Sequence, residues 1–266
     1  MILASASALT NGLSLAAALG YLVPIALPLL GRPVVFRVAL AAWCLHGILL
    51  ADAMSGDAPR FGFAPALSMT AWLVAAVYAV ESRFYPQLQV GWRLCALASL
   101  AVVMAQLFPG HLLHPHASAW LPLHWALGIG SYGLFGAAVV HAWLMGRAED
   151  RIRMAAEADS AMPLLTIERL TFRFVRLGFA LLTATLVLAL FFGESLYGPG
   201  TAWRWDHKTI FSILSWVTFA GLLLGRARFG WRGRRAVRIL YAGSMLLFLA
   251  YVGSRFVIEV LLSRSP

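Results

Sequence analysis

Histidine and tryptophan, two residue types that can hold a metal-containing or flat ligand, cluster in two stretches of the 266-residue sequence. The first stretch contains His111, His114 and His116, and His124 follows. The second covers residues 203–208, with the sequence WRWDHK. Histidine is a common ligand of metals and of haem iron, and tryptophan offers a flat apolar surface. Since no nucleophile–base pair or phosphate-binding loop is recognisable, these residues predict binding rather than enzymatic bond chemistry.

Helix geometry sorts the other histidines by depth. His124 and His141 lie on one predicted helix, roughly 25 Å apart, so they cannot share one iron. His46 lies roughly 7–8 Å below the outer end of the predicted second helix, where a histidine needs a partner or a function. His46 and His124 are therefore at compatible depths for the two faces of one planar ligand.

Each of these features also has a less specific explanation. Tryptophans at a membrane interface commonly form an aromatic belt, and histidines in a polar loop are often only solvated. Arg255 and Glu259 lie four residues apart on the last predicted helix and can pair, or Arg255 can meet a ligand carboxylate. The residues by themselves leave these alternatives open.

The elements that must position these residues are transmembrane helices. The chain is 61% hydrophobic and 12% charged, against about 45–50% and 25% in globular proteins. A spanning helix needs ~20 apolar residues, and no run is typical of a strand. The runs that qualify, or nearly so, are 9–30, 34–51, 64–81, 92–108, 121–145, 174–193, 209–225 and 237–262. They predict an all-α, polytopic membrane bundle of about eight helices, forming one transmembrane domain over residues 1–266.

The basic residues predict the orientation of the bundle. A net charge of +10 would suggest nucleic acid as the partner of a soluble protein, but here the arginines lie between apolar runs. Alternate connections carry sixteen arginines, and the opposite side carries four basic residues. Cytoplasmic loops are rich in Arg and Lys, so both termini are expected outside. Residues 146–173 form the one sizeable cytoplasmic connector, and their mixed charges predict a short surface helix.

The second cluster carries a resemblance to a known family. After residues 203–208 come a helix with Trp216, then Arg226 and residues 230–234, with the sequence GWRGR. This arrangement resembles the tryptophan-rich WWD region of the cytochrome c assembly family, which includes the CcsA and CcmC haem-handling proteins. Eight predicted helices, His46 in the second, His124-Trp125 at the start of the fifth and residues 251–256 (YVGSRF) near the end resemble most closely its shorter HemX/YpjD-like branch.

The resemblance implies a haem-binding protein of the bacterial cytoplasmic (inner) membrane. In CcsA-type members, the WWD segment and two flanking histidines on the outer side are implicated in holding haem for delivery to apocytochrome c. The WWD core matches Trp203, Trp205 and Asp206, and the first flanking histidine matches His124. The second flanking histidine has no counterpart here, because residues 251–259 contain no histidine.

The leading hypothesis is a membrane protein that binds or moves haem at its outer face. The expected roles are stacking by Trp203 and Trp205, iron ligation by His124 with His46 or His207, propionate binding by Arg204, Lys208 or Arg255, and completion of the WWD core by Asp206. These residues are expected to converge in one outer-leaflet pocket, with His141 well apart. The expected partners are the lipid bilayer, haem and other cytochrome c biogenesis proteins, without nucleic acid.

The alternative hypothesis is a haem-free membrane regulator or assembly partner. It would act through residues 146–173 on a cytoplasmic enzyme of haem synthesis, or on an ion-transport system. The two hypotheses share one topology.

That topology can be tested directly with reporter tags. Tags at the C-terminus and within residues 110–118 should report an outer location, because few basic residues flank these positions. Tags within 150–160 and 228–234 should report the cytoplasm. A cytoplasmic C-terminus would mean that one of the eight runs does not cross the membrane.

Overall fold

The computed structural model describes residues 8–27, 29–55, 60–84, 91–112, 120–153, 164–197, 205–257 and 260. Within these ranges the chain forms eight principal helices, which confirms the predicted all-α polytopic bundle. They are α1 (Ala8–Ala26), α2 (Arg32–Ser55), α3 (Phe63–Phe84), α4 (Gly91–Leu107), α5 (Trp120–Arg153), α6 (Leu164–Tyr197), α7 (His207–Phe229) and α8 (Gly233–Phe248). Helix α8 continues through a π-turn at Leu249–Gly253 into the short helix α9, Ser254–Phe256.

The lengths of the helices match a bilayer. Among the described helices, seven are long and apolar enough to cross a membrane, and α4 contributes a shorter apolar helix, Arg93–Leu107. The 17 residues of α4 span about 26 Å, slightly less than the ~30 Å hydrocarbon layer, so α4 can cross only with little tilt. The orientation of the termini stays a prediction.

Helices α5 and α6 are longer than the apolar runs that predicted them. Each has 34 residues and therefore measures roughly 51 Å, well beyond the hydrocarbon thickness. Residues 146–153 continue α5, and residues 164–173 begin α6. The expected separate surface helix is thus replaced, over the described part of 146–173, by extensions of the two spanning helices. The first turns of α6 stay helical because Ile167 and Leu170 are buried.

A two-residue antiparallel bridge was not expected from the sequence. Strand β1, Arg60–Phe61, pairs with β2, His111–Leu112, so that Phe61 lies opposite His111. Gly110 precedes β2 with a φ of 80°, and a Cβ there would lie 2.5 Å from the carbonyl of Phe61. The close approach of the two loops therefore requires glycine at position 110.

The helices fall into two compact units, and unit 1 comprises residues 1–114 and 255–266. Its core is built from small residues, including Ala17, Ala42 and Ala98, around the buried ring of Tyr21. A Cβ at Gly20 would lie 2.9 Å from Ala42, so α1 and α2 approach closely, as small residues permit in membranes.

Two tryptophans fasten α2 to α3 inside unit 1. The indole N–H of Trp43 donates to the backbone carbonyl of Trp72 at 3.1 Å, and Trp72 donates to the carbonyl of Trp43 at 3.0 Å. Their rings are stacked with centroids 4.6 Å apart. The pair satisfies both indole donors without water.

Unit 2 comprises residues 115–254 and has a larger apolar core. Phe135 of α5 stacks on Phe219 of α7 with centroids 3.8 Å apart. Gly243 of α8 leaves room for the ring of Phe219, because a Cβ there would lie 2.9 Å from it. The buried hydroxyl of Ser215 donates to the backbone carbonyl of Gly243 at 2.8 Å and fixes α7 to α8.

The arginine-rich end of unit 2 is ordered by a turn between α7 and α8. Arg226 bonds Glu168 at 2.5 Å and lies 3.7 Å above the ring of Phe172. Helix α7 ends at Gly230, in the left-handed region with a φ of 63°. Trp231 then packs on Gly225, where a Cβ would lie 2.2 Å from the indole.

The Trp231 contact predicts a sharp difference between two glycines of α7. Gly225→Ala should lower the free energy of unfolding by about 1–3 kcal/mol, because the methyl group would displace the indole. Gly221→Ala is the matched control, since a Cβ at 221 meets nothing within 4 Å, and it should change stability by less than about 1 kcal/mol. Thermal unfolding in detergent measures both. Equal effects of the two substitutions would contradict the packing described.

Candidate functional site

His124 lies in the first turns of α5 and is only 9% exposed. Its ring lies near the backbone of Thr185 on α6 and within electrostatic range of Lys208 on α7. Nearby, Trp120 stacks on Phe192, with centroids 4.6 Å apart. Phe192 marks a break in α6, with φ −119° and ψ 18°. His124 is therefore held where the start of α5, the end of α6 and the start of α7 meet, which we call the histidine end of unit 2.

The start of α7 shows what the aspartate of the WWD core does. Asp206 is the N-cap, and its Oδ1 accepts a hydrogen bond from the backbone N–H of Thr209 at 2.8 Å. Burial opposes ionisation of this carboxyl, but the hydrogen bonds from Thr209 and the charges of Lys208 and His207 outweigh it and hold the pKa of Asp206 below its ordinary value. The carboxylate thus stabilises the helix start.

The residues that flank Asp206 are either exposed or in contact with another element of unit 2. Trp205 is 71% exposed, and His207 is exposed too. Lys208, the only lysine in the sequence, is half-buried, and its ammonium lies 5.5 Å from the centre of the Tyr251 ring. Trp205, His207 and Lys208 are therefore brought to the same end of unit 2 as His124.

Two tyrosines frame this end, and sequence reasoning gave neither of them a role. Tyr251 lies in the π-turn, and Tyr132 of α5 donates a hydrogen bond to the carbonyl of Leu247. Tyr251 falls within the matched YVGSRF segment, which was the available signal. Tyr132 lies 115 residues from Leu247, and no sequence signal reveals that contact.

His46 occupies a different environment, inside unit 1. It is 1% exposed; its Nδ1 lies 3.3 Å from the Tyr21 hydroxyl, and its Nε2 lies 2.8 Å from Oγ of Ser68. The expected need for a partner at this depth is met by these two hydroxyls. Iron ligation by His46 would require breaking one of the two hydrogen bonds.

The remaining predicted residues are distributed differently. Trp203 and Arg204 lie outside the described residues. Arg255 belongs to unit 1 and is followed by Phe256, whose ring packs edge-on against Phe63 at 5.3 Å. The convergence of His46 and Arg255 with His124 and the tryptophans in one pocket stays a prediction.

His141 is buried in unit 2. Only 3% of it is exposed, its Nδ1 lies 2.8 Å from the carbonyl of Ala137, and its ring contacts Phe174. Within the part of the chain that the structure describes, no three His, Cys, Asp or Glu side chains are grouped as a bare metal ion would require.

The comparison with known families decides the identity. The profile described as cytochrome C assembly protein matches residues 33–262. The chain belongs to this family. The membership confirms the predicted family. Together with the apolar helices and an inner-membrane relative, it identifies a multi-pass protein of the bacterial inner membrane.

Relatives in this family include both branches named by the resemblance. The inner membrane protein YpjD of Escherichia coli K12 is 31% identical over 178 residues, 64% of this chain and 66% of YpjD, so the match spans just under two thirds of that relative. An uncharacterized 28.8 kDa protein of Azospirillum brasilense is 32% identical over 208 residues, 74% of this chain and 76% of its own. The cytochrome c biogenesis protein CcsA of Gloeobacter violaceus is 24% identical over 281 residues, which cover 83% of this chain and 82% of that protein. No solved structure gives a significant match.

The N-cap role of Asp206 predicts a contrast between two substitutions. Asp206→Ala should lower the free energy of unfolding by about 1 kcal/mol, whereas Asp206→Asn should keep most of the cap, since asparagine caps equally well. The depressed pKa means that the ionised form stabilises the fold. The charge contribution is thus present above the unfolded pKa of about 3.9 and is lost as the pH falls through the folded value.

Denaturant unfolding of the three proteins at pH 7 and at pH 3 measures both effects. The difference between wild type and Asp206→Asn should shrink at the lower pH. An Asp206→Ala protein as stable as wild type at pH 7 would contradict the cap.

Proposed function

We propose that this protein binds haem at the histidine end of unit 2, on the predicted outer face, as a step in cytochrome c biogenesis. One observation carries the proposal: the buried imidazole of His124 lies within electrostatic range of Lys208, which follows the WWD core residues Trp205 and Asp206 at the start of α7. An imidazole, an ammonium and an aromatic surface are the three groups that a haem needs, for its iron, its carboxylates and its ring.

The residues of this end fit the group. His124 is buried and lies near the backbone of Thr185, a carbonyl of the kind to which ligating histidines usually donate. Trp205 presents an exposed indole on which a flat ring can stack. Asp206 takes no part in ligation in this proposal, because its carboxylate accepts from Thr209. Haem bound here would supply an iron that takes imidazole ligands, and the chain would hold and orient it.

His207 is the better second ligand for that iron. It is exposed at the first position of α7, in the same unit as His124. His46 is less suitable, since both of its ring nitrogens lie within hydrogen-bonding distance of hydroxyls inside unit 1. The activity proposed is binding and transfer rather than catalysis. The relatives named CcsA support other cytochrome c biogenesis proteins as partners.

A second function is favoured by the length of α5 and α6. Their extensions carry exposed charged residues, among them Arg147, Asp150, Arg169 and Arg173. Such a surface suits a soluble protein, and a haem-free regulator would act through it on a cytoplasmic enzyme. The visible spectrum of protein purified from haem-replete cells separates the two functions, because only the first predicts a Soret band.

The haem-binding proposal makes different predictions for ligand and stacking residues. His124→Ala should shift or abolish the Soret band, because it removes an iron ligand. Trp203→Ala together with Trp205→Ala should lower haem occupancy several-fold, as about 0.5–1.5 kcal/mol per aromatic contact implies, with little change in the ligand signature. Absorption spectra and haem-to-protein ratios of the purified variants measure both effects.

His114→Ala is the control, since it removes a histidine from the same predicted outer side without touching the proposed site. Membrane insertion should be unchanged in every variant. An unaltered spectrum in His124→Ala, with full haem retention in the double tryptophan variant, would reject this site.

A further inference from the structure

The arginine-rich end of unit 2 has no part in the proposed haem site. Six arginines lie in or next to the turn between α7 and α8, namely Arg226, Arg228, Arg232, Arg234, Arg235 and Arg238. Three of them are held by the protein itself. Arg226 and Arg232 reach the carboxylate of Glu168 at 2.5 and 3.8 Å. The guanidinium of Arg235 lies 4.0 Å from the centre of the Trp231 ring.

The other three arginines, Arg228, Arg234 and Arg238, are exposed. Within the described part of the chain, the structure gives none of them an ion pair or an aromatic ring. Glu168, the acid that serves this turn, already bonds Arg226. A guanidinium stays charged and presents its donors in a planar fork, so this group of three favours an anionic partner.

On α8, the exposed arginines share one helix face with apolar side chains. Arg234 and Arg238 lie one turn apart, and Tyr241 and Met245 follow on the same face at helical spacing. Tyr241 and Met245 are 38% and 56% exposed, whereas the buried residues of α8 lie on the opposite face. An exposed apolar face of a spanning helix meets lipid chains. The change from arginine to apolar residues therefore marks the level of the lipid headgroups on this face.

Helix α7 shows the same pattern with the chain running the other way. Val217 and Leu224 are 53% and 58% exposed, and Arg228 follows Leu224 by one turn on the same face. Arg228 thus also lies where a lipid-facing apolar stripe ends. A small soluble anion would match only the arginines. A phospholipid joins a phosphate to acyl chains, so it matches both parts of each face.

We propose that Arg228, Arg234 and Arg238 bind the phosphate groups of anionic phospholipids, whose acyl chains lie along the exposed apolar faces of α7 and α8. Arginine can bind two phosphate oxygens at once, and clusters of basic residues beside spanning helices attract anionic headgroups. A zwitterionic lipid is less favoured because its headgroup brings a cation of its own towards the arginines. This inference is independent of haem binding.

Spin-labelled lipids can measure the preference of the full chain in phosphatidylcholine vesicles. The motionally restricted part of the electron paramagnetic resonance spectrum gives the association of spin-labelled phosphatidylglycerol relative to spin-labelled phosphatidylcholine. Wild-type protein should prefer phosphatidylglycerol about threefold or more, as several arginines at the headgroup level imply. Arg234→Gln together with Arg238→Gln should lower this preference about twofold or more, because two phosphate contacts are lost.

The matched control is Arg147→Gln together with Arg235→Gln. It also removes two positive charges, but from guanidinium groups that lie 5.0 and 4.0 Å from the ring centres of Trp143 and Trp231. The preference for phosphatidylglycerol should stay near the wild-type value in this variant. Equal losses in the two double variants would indicate a general effect of charge and would overturn the assignment. A wild-type protein without the preference would overturn it as well.

Two further measurements keep the test decisive. Arg228→Gln changes a single residue on α7 and should also lower the preference, so it decides the matter if the α8 double variant does not fold. Inorganic phosphate, added at constant ionic strength, should leave the wild-type preference unchanged, since it has no acyl chains to occupy the apolar faces. Loss of the preference on adding phosphate would assign the arginines to a free anion and reject the lipid site.

Discussion

A polar group inside a hydrocarbon layer must find its partner within the protein, since lipid offers none. The contacts that join the helices of both units follow from this constraint. In unit 1, Ser99 donates to the carbonyl of Ala18 at 2.9 Å. The indole N–H groups of Trp43 and Trp72 each donate to the backbone carbonyl of the other residue. In unit 2, Ser215 reaches α8 in the same way. Each of these bonds joins two helices, so satisfying a polar group also fixes the packing around it.

The same constraint separates the two candidate iron ligands. The ring of His46 is met on both nitrogens by hydroxyls from α1 and α3, so it is satisfied within unit 1 and links three helices. His124 lies near a helix end, within electrostatic range of Lys208, where neighbouring residues such as Leu123 and His207 are exposed. The burial of His46 is thus explained by its hydrogen bonds, and that of His124 by its location near a helix end. Depth along a helix, which the sequence gives, does not distinguish them.

Predictions from hydropathy succeeded where the signal was local. All eight apolar runs correspond to helices, and the WWD segment led to the right family. The ends of α5 and α6 were missed because hydropathy falls at the membrane surface while backbone hydrogen bonding continues into the charged residues. The partners of His46 lie 25 and 22 residues away, and Tyr132 lies 115 residues from Leu247. No helical periodicity records such contacts.

The described basic side chains differ between the two ends of unit 2, and so does the chemistry of their donors. At one end, planar guanidinium groups stack on rings, as Arg226 does on Phe172 and Arg235 on Trp231 at 4.0 Å. An arginine held by a ring and by Glu168 is a structural anchor with its donors already directed. At the other end stands Lys208, a compact ammonium beside Tyr251 whose three donors are not fixed in one plane. The single lysine of a chain with 20 arginines thus follows the WWD core, within electrostatic range of His124.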